Sequence, residues 1–428
     1  MRRFNFKGKH AMLNGKTYFM RGTNVCIFRF FEDPDRKNLP WDRQWVIKLH
    51  QKFKDMNWNS IRYCIGFPPE DWYEIADSLG FLIQDEYPIW TGRPGRFERI
   101  QPGINSNHIA NEYKDWMQEH FNHACVVIWD GQNESVSDTI AKAINKARKN
   151  DLSKRPWDNG WSAPASSEDC IESHPYLFVK YKAKGITPGP EGVLSEFFSE
   201  IRIPDNDPNE HDPSTDGKRY ENPIIVNEYG WLWLNRDGTP TTLTDNVYKN
   251  VFPEATTNEQ RFEVYAKHLG ILTEYWRAHR LCAGVLHFCG LGSSRPKHPR
   301  GQTCDNFVDI KNLNYEPNFY QYVKPAFSPV GIMLEFWNNK LKGGQKIKIP
   351  VHIINDTYEN WNDTVRITLT LESKVVRTKV LVSAVDALGK KIEYVEIEFP
   401  EKPGQYKLIG ELTYKNERIK SIREIEVK

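Results

Sequence analysis

The sequence lacks the long apolar segments that membrane proteins need. None of its 428 residues lies in an apolar run of about eighteen, the length that a membrane-spanning helix requires. The first residues, MRRFNFKGK, carry positive charge but no apolar core, so no signal peptide is predicted. The pattern predicts a chain without a membrane partner and leaves its compartment open.

The sequence also has little unbalanced charge and few cysteines. The formal net charge is only +2, so nothing indicates a nucleic acid or an anionic membrane as a partner. The seven cysteines, an odd number without regular spacing, argue against a disulfide framework and against a zinc site. We therefore expect buried free thiols, and we predict no metal and no cofactor. The oligomeric state stays open.

Aromatic residues, by contrast, are abundant. They make up 13% of the chain, with 14 tryptophans, and hydrophobic residues make up 39%. Aromatic faces pack against sugar rings in carbohydrate-binding proteins, but they also fill large apolar cores, so composition alone does not choose between these roles. The length suits two or three domains, or one large barrel with a smaller domain.

Two apolar segments each lead directly to an Asn-Glu pair. Residues 224–226 follow Pro223 as a short apolar run and lead to Glu228, and residues 125–129 lead in the same way to Glu134. Continuous apolar runs are typical of parallel strands that are covered on both faces. A glutamate at the carboxyl end of such a strand faces the top of an α/β barrel, although a capping or ion-paired glutamate is the alternative. Two carboxylates at one end of a barrel are the machinery of glycoside hydrolysis.

Strands and helices alternate along most of the chain, which predicts a (β/α)8 barrel. One helix illustrates the evidence, because Trp45, Leu49, Phe53 and Met56 recur at helical spacing. The predicted strands are residues 18–25, 60–64, 81–83, 125–129, 224–226 and 283–288. The predicted helices are residues 42–57, 106–123, 136–151, 258–280 and 316–327, with another between Pro68 and Gly80.

The pattern changes after Pro329. Apolar residues alternate at period two over residues 347–353 and 365–371, and further short strands follow up to residue 427. This spacing predicts an immunoglobulin-like β-sandwich of about a hundred residues. We therefore predict a catalytic barrel over residues 1–328 and a sandwich over residues 329–428.

A series of motifs resembles family 2 glycoside hydrolases, which include β-galactosidases, β-glucuronidases and β-mannosidases. In chain order these motifs are LNGKTYFMRGTN (13–24), NWNSIRYCIGFPP (57–69), LGFLIQDEYP (79–88), NES (133–135) and NEYG (227–230). The resemblance also assigns residues 155–161 and 170–176 to the fifth and sixth barrel strands. It implies a retaining hydrolase acting on a β-linked glycoside. The two sandwich domains that precede the family's barrel have no match here, so we expect a trimmed form or a short subgroup.

The resemblance further implies roles for individual residues. Glu134 would be the acid/base and Glu228 the nucleophile, while Arg62 would keep Glu228 ionised or form a structural ion pair. The remaining substrate-binding candidates are Asn24, Asn133 at the sugar 2-hydroxyl, His174, Tyr176, and the possible sugar platforms Trp231 and Trp233. Trp129 is a further platform candidate, with core packing as its main alternative.

The residues around the carboxylate pair depart from the family pattern. The positions that usually carry His, Glu, His and Trp hold Cys26, Ile27, Ile65 and Leu286. The sugar is therefore not specified, and two alternatives stay open: a carbohydrate-binding pseudoenzyme, and an endo-acting hydrolase of the family 5 type.

A polar insertion separates the sixth and seventh predicted strands. Residues 205–216 begin with the Asp-x-Asp-x-Asn spacing of a calcium loop, but Glu210 stands where such loops carry Gly. We therefore expect a solvated loop rather than a calcium site.

Overall fold

The computed structural model describes residues 2–91, 105–175, 220–338 and 340–428. Tyr176 and most of the predicted insertion, residues 203–219, lie outside them. The described residues form two compact units. The first comprises residues 2–91, 105–175, 220–245 and 281–316, and the second comprises residues 246–280, 317–338 and 340–428.

The first unit contains the barrel. Its eight strands are β4 (Met20–Cys26), β5 (Ser60–Cys64), β6 (Leu82–Glu86), β7 (Val126–Asp130), β8 (Trp157–Asp158), β9 (Ile171–Ser173), β10 (Ile224–Val226) and β11 (Gly284–Leu291). They pair in parallel in the order β8-β7-β6-β5-β4-β11-β10-β9. The ring is nearly closed, because the Cys170 N–H donates to the Trp157 carbonyl at 3.1 Å between its two ends. The predicted TIM barrel is confirmed.

A small antiparallel sheet precedes the barrel. Its strands are β1 (Phe4–Lys7), β2 (His10–Leu13) and β3 (Lys16–Tyr18). Phe4 and Ala11 of this sheet belong to the same buried cluster as Met20, Leu82 and Ile225 of the barrel strands. The sheet therefore packs at the amino-terminal end of the barrel, which leaves the carboxyl end for the candidate site.

The helices of the first unit begin and end at recognisable signals. They include α1 (Arg43–Asp55), α2 (Glu70–Leu79), α3 (Ser106–His120) and α4 (Asp138–Ala147), with 3-10 turns at Ile27–Arg29, Leu39–Trp41 and Arg148–Asn150. The side chain of Asp42 accepts the N–H groups of Gln44 and Trp45 at the start of α1. Gly80 ends α2 with a left-handed φ of 72°, a conformation that favours glycine. The strands β12 (Phe307–Asp309) and β13 (Asn314–Tyr315) follow later in this unit, whereas helix α5 (Asp245–Val251) begins at its last residue before the second unit and continues into that unit.

The second unit combines helices with a β-sandwich. Besides most of α5, its described helices are α6 (Asn258–His279) and α7 (Pro317–Ala326). One sheet has the order β14 (Val330–Leu334), β16 (Lys346–Asn355), β19 (Lys390–Glu398). The other has the order β15 (Lys340–Leu341), β21 (Glu417–Val427), β20 (Gly404–Tyr414), β17 (Trp361–Leu371), β18 (Lys374–Val385). Alternate residues of both sheets form one buried core, as a sandwich requires.

Two expectations from composition also have structural outcomes. All seven cysteines lie among the described residues, are buried and carry free thiols, as predicted. Within the part of the chain that the structure describes, no helix combines the length and apolar character needed to cross a membrane. The predicted domain boundary at residue 328 stays a prediction.

Candidate active site

The candidate site lies at the carboxyl ends of the barrel strands. Glu134 follows β7, Glu228 follows β10 and His174 follows β9, while Arg62 lies within β5. Because all eight strands are parallel, these strand ends meet at one end of the ring, where the active sites of such barrels lie. Four residues that are far apart in sequence therefore converge on one volume.

Arg62 is the centre of a buried hydrogen-bond network. Its Nη1 donates to Glu228 Oε1 at 2.7 Å, and its Nε donates to Asp130 Oδ2 at 2.9 Å. Its Nη2 donates to Glu86 and to Glu172 Oε2, the latter at 3.1 Å. Arg62, Glu86, Asp130 and Glu172 are fully buried. One guanidinium thus bridges four carboxyl groups, a geometry that its planar fork allows and an ammonium does not.

Glu134 is held in an unusual backbone conformation. Its φ is +43°, in the left-handed region that non-glycine residues rarely occupy. The Glu134 N–H donates to Glu172 Oε1 at 3.0 Å, and Glu134 Oε1 lies 2.8 Å from His174 Nδ1. Burial raises the pKa of the Glu134 carboxyl, against the opposing effect of the His174 hydrogen bond. A raised pKa favours the protonated form that a general acid needs.

His174 lies between the two glutamates. Its Nε2 is 3.8 Å from Glu228 Oε1 and 3.4 Å from Glu172 Oε2. One carboxylate oxygen of Glu134, one of Glu228 and one ring nitrogen of His174 all lie within 4.8 Å of one another. Burial alone lowers the pKa of His174, but the carboxylates of Glu228 and Glu172 and the hydrogen bonds to Glu134 and Glu172 outweigh it and raise the pKa well above its usual value. His174 is therefore a second cation beside Arg62.

The surrounding carboxyl groups do not all carry charge. Burial raises the pKa of Asp158 and of Glu86 well above the usual range, and it raises the pKa of Asp130 to about 6. Burial also opposes ionisation of Glu172, but His174 and Arg62 lower its pKa overall. Protons on Asp158 and Glu86 lower the negative charge that Arg62 and His174 must balance.

Two groups of side chains in the site have ligand atoms close enough to hold a metal ion. They are Glu134, His174 and Glu228, and Asp130, Asp158 and Glu172. In the second group Gln84 Nε2 already donates to Asp130 Oδ2 at 2.9 Å and to Asp158 Oδ2 at 3.0 Å. Asp130 Oδ2 and Asp158 Oδ2 therefore already accept a hydrogen bond from one side chain.

The structure places the predicted substrate-binding residues in different environments. The Asn133 Oδ1 accepts from Arg62 Nη2 at 3.0 Å, and no described residue accepts from its amide nitrogen, which suits a bond to a sugar hydroxyl. Asn24, in contrast, donates from Nδ2 to the backbone carbonyls of Asn227 (2.6 Å), Leu286 (3.2 Å) and His287 (3.1 Å). Its role is to tie strands together, and the expectation that it binds substrate is corrected. Tyr176 lies outside the described residues.

The predicted tryptophan platforms also differ in their exposure. Trp233 is 1% exposed and donates its indole N–H to the Phe288 carbonyl at 2.7 Å, so it offers no face to a sugar, contrary to expectation. Trp129 is fully buried and donates to Asp151 Oδ2 at 2.9 Å, which assigns it to the core. Trp231 is partly exposed and contacts Trp233 at a centroid distance of 4.8 Å. It is the remaining platform candidate.

The comparisons with known proteins agree with this geometry. Residues 4–258 match the family model described as "Glycosyl hydrolases family 2, TIM barrel domain". The chain belongs to glycoside hydrolase family 2. The resemblance carried by the motifs is thereby confirmed.

Relatives in the family are considerably longer than the stretches they share with this chain. A β-galactosidase of Erwinia tasmaniensis is 29% identical over 171 residues, which are 39% of this chain and 16% of that protein. A β-galactosidase of Streptococcus thermophilus is 30% identical over 145 residues, 31% of this chain and 14% of that protein. The β-D-mannosidase structure from Dictyoglomus thermophilum has a TM-score of 0.64 at 13% identity, covering 100% of this chain and 53% of that one. The last match supports the fold alone.

Sequence reasoning missed four carboxyl groups of this family 2 site. Glu86, Asp130 and Glu172 all bond Arg62, and Asp158 shares Gln84 with Asp130. A signal was present, because each lies within or at the end of a barrel strand. A lone carboxylate at a strand end is also typical of capping, which is why the motifs alone did not single them out.

Proposed function

We propose that this protein hydrolyses a β-linked glycoside with retention of configuration, using Glu134 as acid/base and Glu228 as nucleophile. The observation that carries the proposal is the closeness of the two side chains, which bring one oxygen each within 4.8 Å. Retaining enzymes hold their carboxyl groups about 5–5.5 Å apart, whereas inverting enzymes need about 6.5–9.5 Å to admit a water molecule. The short separation supports direct attack by a carboxylate.

The proposed mechanism has two steps. Glu228 attacks the anomeric carbon while Glu134 gives its proton to the departing oxygen, which forms a glycosyl-enzyme ester. Glu134, now a carboxylate, then takes a proton from water, which attacks the ester and releases the sugar with its original configuration. His174 donates to Glu134 Oε1 and so orients its second oxygen toward the leaving group.

Arg62 and Asn133 also support this mechanism. Arg62 supplies positive charge to Glu228 at 2.7 Å, which holds the nucleophile in one orientation. The same guanidinium fixes the Asn133 oxygen at 3.0 Å and leaves its amide hydrogens for the sugar 2-hydroxyl, the role that the family resemblance implies. Hydrogen bonds to that hydroxyl strengthen in the transition state.

The relatives, rather than the residues of the site, indicate which sugars to test as substrates. Two of the curated relatives are β-galactosidases, and one structural neighbour is a β-mannosidase. A screen of aryl β-galactosides, β-mannosides and β-glucuronides therefore comes first. Wild-type protein that binds sugars without turnover would instead identify the pseudoenzyme, and cleavage only within polysaccharides would identify the endo-acting alternative.

The decisive experiment uses three variants. Glu228→Ala should abolish turnover, and azide should restore it with an inverted glycosyl azide as product, because a small anion fits the vacated volume. Glu134→Ala should keep a fast first step only for substrates with good leaving groups, which need no proton. Glu119→Ala, an exposed glutamate on α3, is the control and should behave as wild type. A retained azide product, or full activity of Glu228→Ala, would refute the assignment.

A further inference from the structure

Two histidines and one glutamate of the second unit converge from three different elements. His279 is the last residue of α6, Glu335 follows β14 directly, and His352 lies in β16. The backbone around them is well anchored, since the Glu335 N–H donates to the Pro350 carbonyl at 3.0 Å. The His279 ring packs on Tyr275 at a centroid distance of 4.3 Å.

The side chains direct their polar atoms at one point. Glu335 Oε2 lies 2.7 Å from His352 Nε2, and Glu335 Oε1 lies 3.4 Å from His279 Nε2. One ligand atom of each residue lies within 4.8 Å of the other two. The His279 Nε2 is buried and forms no hydrogen bond with any described residue. A buried ring nitrogen that lies near a carboxylate but forms no hydrogen bond leaves a position for a cation.

The chemistry of the three groups suits a transition-metal ion. Two imidazole nitrogens and one carboxylate are a donor set that zinc uses, with bonds of about 2.0–2.2 Å. Ligands at that distance around a tetrahedral ion are about 3.4 Å apart. The His279–Glu335 pair already has this spacing, and the His352–Glu335 pair would open by about 0.7 Å.

We propose that His279, Glu335 and His352 bind one divalent transition-metal ion of the zinc type, with water in the remaining position. The side chains of His279 and Glu335 are 23% and 25% exposed, which leaves an open side for that water. The ion joins the carboxyl end of α6 to strands β14 and β16, so its role is to stabilise this unit. The site uses no residue of the proposed hydrolysis, and the two proposals stand independently.

Replacement of Lys390 should strengthen metal binding, whereas replacement of a ligand should weaken it. Its Nζ donates to the carbonyls of Ala278 at 3.3 Å and His279 at 3.1 Å, which brings a positive charge to the same helix end. This charge opposes binding of a cation, and a neutral side chain of similar length removes the opposition. Lys390→Met should therefore bind the ion more tightly than the wild type.

The experiment is a titration of the metal-stripped chain with Co²⁺, followed by visible absorption and by competition with Zn²⁺. We expect one equivalent to bind, and His279→Ala and His352→Ala should each weaken binding more than about tenfold. Glu335→Gln keeps the shape of the side chain and should also weaken binding, which protects the test if a histidine variant fails to fold. Zn²⁺ should raise the melting temperature of the wild type, and the rise should be smaller in Glu335→Gln.

Two controls separate this site from other clusters in the chain. His10→Ala removes an exposed histidine and should leave binding unchanged. His123→Asn disrupts a second possible cluster, Asp77, His123 and Cys125, and should also leave binding unchanged. Binding there would give the intense near-ultraviolet absorption of a Co²⁺–thiolate bond. Unchanged affinity in all three site variants, or loss of binding in His123→Asn, would overturn the proposal.

Discussion

Replacement of Arg62 by methionine should destabilise the fold in a pH-dependent way. The substitution keeps much of the side chain's volume but removes the only guanidinium that bonds Glu86, Asp130, Glu172 and Glu228 among the described residues. Loss of one partner from a buried ion pair costs about 3–5 kcal/mol, because the remaining carboxylate either stays buried without compensation or must take up a proton. We expect a loss of this size in the free energy of unfolding at pH 7.

The same loss should shrink in acid. Without Arg62, at least one buried carboxyl group of the folded protein binds a proton between pH 5 and pH 7. The same group in the unfolded chain has an ordinary pKa near 4 and is ionised in this range. Folding then takes up one more proton in the variant than in the wild type, and stability rises relative to the wild type by about 1.4 kcal/mol for each pH unit lowered. Between pH 7 and pH 5 the destabilisation should therefore fall by about 2.7 kcal/mol.

Urea unfolding followed by tryptophan fluorescence at pH 7, 6 and 5 measures both effects. Arg36→Met is a matched control, because Arg36 is equally buried but donates to the carbonyls of Gly292 and Arg29 rather than to carboxylates. Its cost should depend much less on pH. A cost for Arg62→Met below about 1 kcal/mol at pH 7, or the same pH dependence in both variants, would refute the electrostatic reasoning.

Three further predictions follow from single side chains. Because burial raises the pKa of Glu134, kcat/KM should fall as pH rises through that pKa, and this alkaline limb should flatten for aryl glycosides with good leaving groups. Burial lowers the pKa of His50 to about 4, so below pH 6.5 the unfolded chain binds a proton that the folded protein does not, and the free energy of unfolding falls in acid. His50→Asn should reduce the pH dependence of that free energy by about 1.4 kcal/mol per pH unit, as measured by urea unfolding. Trp231→Ala should raise KM roughly fivefold, equivalent to about 1 kcal/mol of stacking, with little change in melting temperature; an unchanged KM would exclude it as a platform.

The barrel was predictable because its strands are buried on both faces. The continuous apolar run 224–226 coincides with β10, and the run 125–129 differs from β7 by one residue at each end. Such runs have few other interpretations when helical segments lie between them. The motifs also located Glu134, Glu228 and Arg62, which the structure brings together.

The environment of each site residue was less predictable. Sequence alone did not distinguish Trp231 from Trp233, because their contrast depends on how the segment after Glu228 meets Phe288 and Leu243. Asn24 was misassigned for a similar reason, since its three carbonyl partners come from two strands far along the chain. Long-range hydrogen bonds of this kind leave no periodic signal in the sequence.

The two proposed catalytic carboxyls show how position and surroundings combine. Both follow buried barrel strands, but their partners differ. Glu134 is hydrogen-bonded to one histidine, and burial raises its pKa against the effect of that bond. Glu228 accepts a hydrogen bond directly from the Arg62 guanidinium. Glu172 joins the two environments, since it bonds both Arg62 and the backbone N–H of Glu134. Different partners can therefore assign a proton donor and a nucleophile to two residues of the same type. By this argument Glu172 is a positioning residue, because it supports the strained φ of Glu134 while it shares the cation that faces Glu228.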